Sequence, residues 1–205
     1  TIGARAFAGC TQLEALTLPD SLTTIGEGAL DGLTGLKKLV IQCDPAIIPA
    51  GVFANLPALS DVTVEFGAIP AHMFEGSGVT VLTLGAGVTE IGDSAFANTA
   101  LTSAEMQNVT AIGAGAFANT ALTSAEIQNV TAIGAGAFEG SALERVQLNA
   151  AASVGERAFA NTKLTKMVIP TAGSFPLSAV EGTSAELRLP CLLYTSDAAD
   201  DTPCV

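Results

Sequence analysis

Residues 101–121 read LTSAEMQNVTAIGAGAFANTA, and residues 122–142 read LTSAEIQNVTAIGAGAFEGSA. The two segments agree at 17 of 21 positions and differ only at Met106/Ile127, Ala118/Glu139, Asn119/Gly140 and Thr120/Ser141. Working outward from this pair, the same pattern recurs around nine large apolar markers: Phe7, Leu30, Phe53, Phe74, Phe96, Phe117, Phe138, Phe159 and Val180. Their spacings are 23, 23, 21, 22 and then 21 residues four times. A near-constant period of this size is the signature of a solenoid, in which each coil buries its apolar face only against its neighbours.

Each column of the repeat has a physical meaning. Five residues before the marker stand Ile2, Ile25, Ile48, Ile69, Ile91, Ile112, Ile133, Val154 and Phe175, all apolar and therefore directed into the core. Each is followed by Gly or Pro, which breaks any regular element and predicts a corner. Directly before the marker the residue is small or apolar, most often Ala, which suits a close approach of stacked coils. Two residues after the marker the column holds only Gly or Asn: Gly9, Gly32, Asn55, Gly76, Asn98, Asn119, Gly140, Asn161 and Gly182. These types share easy access to positive φ, so a left-handed turn is expected in every coil. A short alternating segment follows, as in Leu13-Glu14-Ala15-Leu16-Thr17-Leu18. Period 2 marks a strand with one face buried. Nine such strands stacked at about 4.8 Å per coil build one parallel sheet about 40 Å long, with no helix needed between them.

The stretch Ile2-Gly3-Ala4-Arg5-Ala6-Phe7-Ala8-Gly9-Cys10-Thr11-Gln12-Leu13-Glu14-Ala15-Leu16-Thr17-Leu18-Pro19 carries the full pattern. It resembles the BspA-like leucine-rich repeat family, and the resemblance extends over residues 1–190. Leu30 and Val180 depart from the family Phe, and most coils replace the family Cys by Thr, Ser or Leu. The resemblance implies a right-handed leucine-rich-repeat coil of about nine turns with little or no α-helix. It also implies a bacterial or protist protein displayed at the cell surface or secreted, often acting in adhesion, and it supplies no catalytic residues. A protein-binding or adhesion module is therefore expected, with a host or extracellular matrix protein or a basic segment as partner. The alternatives are a stalk projecting another domain, or repeats that target a separate enzyme domain.

Composition agrees with this class. Over 205 residues the net charge is −12, with 8 Lys and Arg against 20 Asp and Glu. A phosphate backbone needs a basic stripe, so a nucleic-acid partner is not expected, and an anionic membrane surface is disfavoured in the same way. Mean hydropathy is +0.49, but no long uninterrupted apolar run predicts a membrane-inserted helix. The chain opens inside a repeat and leaves the pattern at Pro190, so residues 1–190 are expected to lack both terminal caps. Residues 191–205 resemble translated sequencing-adapter DNA and are set apart as a non-native or disordered tail.

Catalytic chemistry finds little to work with. His72 is the one histidine and occupies a variable corner column. Cys10 fills a repeat column otherwise held by Thr, Ser or Leu, and is expected to be a packed thiol. Cys43 could bridge only to Cys10 within the repeats, and no CxxC or His-rich cluster suggests zinc. The Gly113-Ala114-Gly115 run recurs as Gly134-Ala135-Gly136 and is a corner rather than a phosphate cradle. No cofactor and no metal are expected. Charge is the more informative feature. Between Lys38 and Arg145 there is no basic residue, while ten acids fall in that stretch. Glu105 and Glu126 share an outward strand column one coil apart. Together with Thr63, Thr83 and Gln147 they form the expected partner-binding surface, small and mixed rather than a deep pocket.

Overall fold

The computed structural model describes residues 1–148, 152–168 and 174–188. The expectation of a tail at 191–205 lies outside the described residues. Among the described residues there are twelve strands: β1 (Ala15–Leu18), β2 (Lys38–Ile41), β3 (Asp61–Ile69), β4 (Val81–Ile91), β5 (Ser103–Glu105), β6 (Ala111–Ile112), β7 (Ser124–Ile127), β8 (Ala132–Ile133), β9 (Arg145–Leu148), β10 (Ser153–Val154), β11 (Lys166–Val168) and β12 (Glu186–Arg188). All pairs are parallel. Among the described residues the only helical pieces are two short 3-10 turns, Pro45–Ile47 and Leu177–Val180. The nine markers thus bound eight full turns of a β-solenoid.

The expected single sheet is instead three sheets on two faces. A seven-stranded sheet runs β1-β2-β3-β4-β6-β8-β10, a second is β5-β7-β9, and β11-β12 is a third. The reason lies in the length of β3 and β4. They span nine and eleven residues and bend around the solenoid, covering both the face of the Leu-x-Leu columns and the face of the Ile column. Two register shifts between them, at Val64/Phe66 and Gly67/Ala68, absorb the bend. Later turns break at this corner into separate short strands, such as β5 and β6, because a two-residue turn at Gln107-Asn108 or Gln128-Asn129 intervenes. Among the described residues the third side of the coils contains no strand. Alternate residues there donate to the next turn, as in Arg5 N–H to Glu27 O (3.0 Å), Phe7 to Ala29 (2.8 Å) and Gly9 to Asp31 (2.8 Å).

The left-handed column is as expected: all nine Gly and Asn residues have φ between 54° and 75°. A second left-handed column lies four residues earlier, at Arg5, Gly28, Gly51, His72, Ser94, Gly115, Gly136 and Arg157. At Arg5, His72 and Ser94 the backbone N–H bonds across to the next turn, as His72 N–H does to Asp93 O at 2.8 Å. The corner glycine Gly134 serves a different purpose. Its φ is ordinary, but a Cβ would lie 2.4 Å from the backbone nitrogen of Ala114.

The core is a stack of like on like. Phe53, Phe74, Phe96, Phe117, Phe138 and Phe159 are fully buried. Their rings stack in sequence with centroids 5.2–6.0 Å apart and planes within 15°. Three residues on, Ser77, Thr99, Thr120 and Thr162 are buried, and each hydroxyl donates to the carbonyl of its own marker at 2.6–2.9 Å. That bond lets a polar side chain enter the core at low cost. Cys10, the same column in the first turn, is exposed rather than packed. Cys43 is buried, and both thiols are free.

Candidate binding face

Outward side chains of the Leu-x-Leu strands form rows. Parallel in-register pairing sets Thr17, Val40, Thr63 and Thr83 side by side on β1 to β4. It sets Glu105, Glu126 and Gln147 side by side on β5, β7 and β9. The five residues singled out from the sequence therefore share one face but belong to two sheets, since no ladder joins β4 to β5 among the described residues. At that seam lies a polar notch of about 70 Å³ lined by Gly85, Glu105, Gln107 and Asn108. A second, shallow groove of about 360 Å³ opens between β7 and β9, lined by Ser124, Glu126, Arg145 and Gln147 among others.

Glu105 and Glu126 are exposed neighbours, and neither meets a cation among the described residues. Like charges opposite one another on adjacent strands disfavour the fold slightly. Gln147, next in the row, accepts from Gln128 Nε2 at 3.3 Å. A second row two residues earlier reads Ser103, Ser124 and Arg145. Sequence reasoning passed over these residues. The signal was the period of 2, which puts residues i and i−2 of a strand on one face. Toward the first turns the charges are paired off: Lys37 Nζ lies 2.7 Å from Glu14 and Lys38 Nζ 2.9 Å from Asp61.

The acidic stretch, continuous in sequence, is scattered in space. Asp44 caps the first 3-10 turn by accepting from Ala46 N–H at 2.9 Å. Glu75 pairs with His72 at 2.7 Å on the corner. Glu90 lies on the other face, in register with Ala68 and Ala111. Asp93 accepts from Ala114 N–H at 2.7 Å. Arg157 ties three turns together by reaching both Glu139 (2.6 Å) and Glu181, and its hydrogen bond to Glu139 raises its already high pKa. Among the described residues Glu105 and Glu126 stand side by side with neither in an ion pair, although Arg145 lines the groove beside Glu126.

His72 is more than half exposed, and apart from Glu75 no side chain among the described residues orients it. Burial raises the Cys43 thiol, which disfavours the reactive thiolate. No group of three metal-ligating side chains converges among the described residues. No helix of the structure is long and apolar enough to cross a membrane.

Stacked parallel strands, left-handed corners and a stacked apolar core define the class as a leucine-rich-repeat β-solenoid. Within that class, the BspA type leucine rich repeat region matches residues 1–100 and 67–183 in six copies, and the chain belongs to this family. Repeats of this kind are typically non-catalytic and in general serve protein binding. Among solved structures the chain is similar to a leucine-rich repeat protein from Bacteroides ovatus at 16% identity, with a TM-score of 0.47 and coverage of 93% of this chain and 88% of the other. It is also similar to a leucine rich cell surface protein from Faecalibacterium prausnitzii at 18% identity, with a TM-score of 0.33 and coverage of 93% and 83%. No curated protein sequence matches significantly.

Proposed function

We propose that this solenoid is a protein-binding module working outside the cell, and that the Leu-x-Leu face is its contact surface. Thr63, Thr83, Glu105, Glu126 and Gln147 are the contact residues, and the partner offers a basic segment to the two glutamates. The observation that carries this reading is the Glu105–Glu126 pair: two exposed carboxylates held in register, each without a cation, on a face whose other charges nearer the first turns are neutralised. Keeping them unpaired costs a little stability, and an incoming cation relieves that cost. The family supports a binding role and an extracellular setting. The shallow groove beside Glu126 suits broad contact with a polypeptide better than capture of a small molecule.

The test is binding to a panel of purified extracellular matrix proteins and basic peptides, measured by biolayer interferometry at several salt concentrations. Affinity should fall as exposed charges are screened, and Glu105→Lys with Glu126→Lys should abolish it. Glu90→Lys, on the other face, should leave it unchanged. Salt-independent binding, or equal loss from Glu90→Lys, would count against this face.

A further inference from the structure

The sequence contains two Asn-x-Thr triplets, Asn108-Val109-Thr110 and Asn129-Val130-Thr131, at equivalent places in adjacent turns. Each Asn is the second residue of the two-residue turn joining the two faces, and both are exposed. Turn chemistry alone favours Asn at such a place. The hydroxyl two residues on adds the second half of an N-glycan acceptor signal, which belongs on the surface of a secreted protein. The two triplets differ in one structural respect. Asn129 Nδ2 donates to the backbone carbonyl of Gln107 at 2.6 Å, so its carboxamide is held against the preceding turn. Asn108 has no such bond: the preceding turn at this corner is the continuous, bent strand β4, and its carboxamide stands free among the described residues.

We infer that Asn108 is an acceptor for an N-linked glycan, and that Asn129 is the structural counterpart of the same motif. The donor class is an oligosaccharide carried on a lipid diphosphate. The Nδ2–C1 bond forms, the C1–O bond to the diphosphate breaks with its electron pair leaving on the diphosphate oxygen, and the amide gives up one N–H proton. Each turn of a solenoid packs on its neighbours, and during synthesis the chain emerges from its N-terminal end. The Gln107 carbonyl is therefore already in place when Asn129 emerges, whereas nothing upstream engages Asn108. A glycan on Asn108 would stand at the rim of the proposed binding face, beside the notch that Glu105 lines. This inference rests on the extracellular setting proposed above but not on the contact residues, so the two can fail separately.

The experiment is secretion of the full chain from a eukaryotic host with an N-glycosylation pathway. Peptide mass mapping follows, before and after an amidase that releases N-glycans and leaves Asp. The expected result is one glycan, at Asn108, that is lost in Asn108→Gln and in Thr110→Ala and retained in Thr110→Ser and Asn129→Gln. Circular dichroism verifies that each variant folds. An unmodified secreted chain, or occupancy of Asn129 in the parent chain, would overturn the assignment.

Discussion

Truncating Phe117 to Ala removes the middle of the aromatic stack. The ring is fully buried, 5.5 Å from Phe96 and 5.4 Å from Phe138, with planes within 9° of both. Phe-to-Ala changes in cores cost about 3–5 kcal/mol. Each lost aromatic pair is worth roughly 0.5–1.5 kcal/mol beyond area. Two pairs are lost here, and the cavity is walled by neighbouring rings that belong to other turns and cannot easily collapse inward. The expected loss is therefore near the top of the range, about 4–5 kcal/mol. Phe117→Leu should cost far less, about 1–1.5 kcal/mol, because Leu30 fills the same column and is 1% exposed. The sequence has no Trp, so urea unfolding should be followed by far-ultraviolet circular dichroism. Coupling between turns is nearest-neighbour, so Phe117→Ala should also broaden the transition as the two flanks unfold separately. A loss under about 1 kcal/mol, or equal losses for Ala and Leu, would refute the stacked-core argument.

Three further outcomes follow from other columns. Asn119→Val should destabilise several times more than Ala118→Val in thermal melts, because β-branching opposes the φ of 54° at Asn119; equal melting shifts would contradict the left-handed turn. Thr120→Ala should cost about 0.5–1.5 kcal/mol by deleting the bond to Phe117 O, whereas Ser141→Ala should be neutral or stabilising, since the buried Ser141 hydroxyl has no partner; the comparison is read in parallel urea titrations. A thiol reagent should label Cys10 well before Cys43 in the native protein, by peptide mapping, and equal rates would contradict the buried position of Cys43.

How far the sequence could be read is clearest at the two left-handed columns. The one holding only Gly and Asn announces its backbone, because no other property unites those residues. The other contains Arg5, His72, Ser94 and Arg157 beside four glycines, and at the first three of these cross-turn hydrogen bonds hold a conformation that the side chains do not advertise. The in-register pairing of Glu105 with Glu126 was legible because a period of exactly one turn must align equal columns. The division into three sheets was not, since it depends on whether a corner bends smoothly, as in β3 and β4, or breaks at a Gln-Asn turn. The run of ten acids suggested a patch, yet a chain that changes face every few residues spreads neighbours in sequence around its circumference. The column of Thr and Ser likewise gave no hint that the hydroxyls of Ser77, Thr99, Thr120, Thr162 and Thr183 close on their own marker carbonyls while that of Ser141 does not.

The most direct test of the account is the register that places the candidate site on one face. In a Cys10→Ser background, Glu105→Cys and Glu126→Cys should sit about 4.8 Å apart on adjacent parallel strands, inside the Cα range of about 4.4–6.8 Å that a disulfide spans. Mild oxidation should cross-link this pair rapidly, and likewise the pair Glu126→Cys and Gln147→Cys, as read by non-reducing peptide mapping. Glu105→Cys with Gln147→Cys lies two strands apart and should not close. Efficient closure of that distant pair, or failure of both adjacent pairs in folded protein, would contradict the stacked register and the binding face built on it.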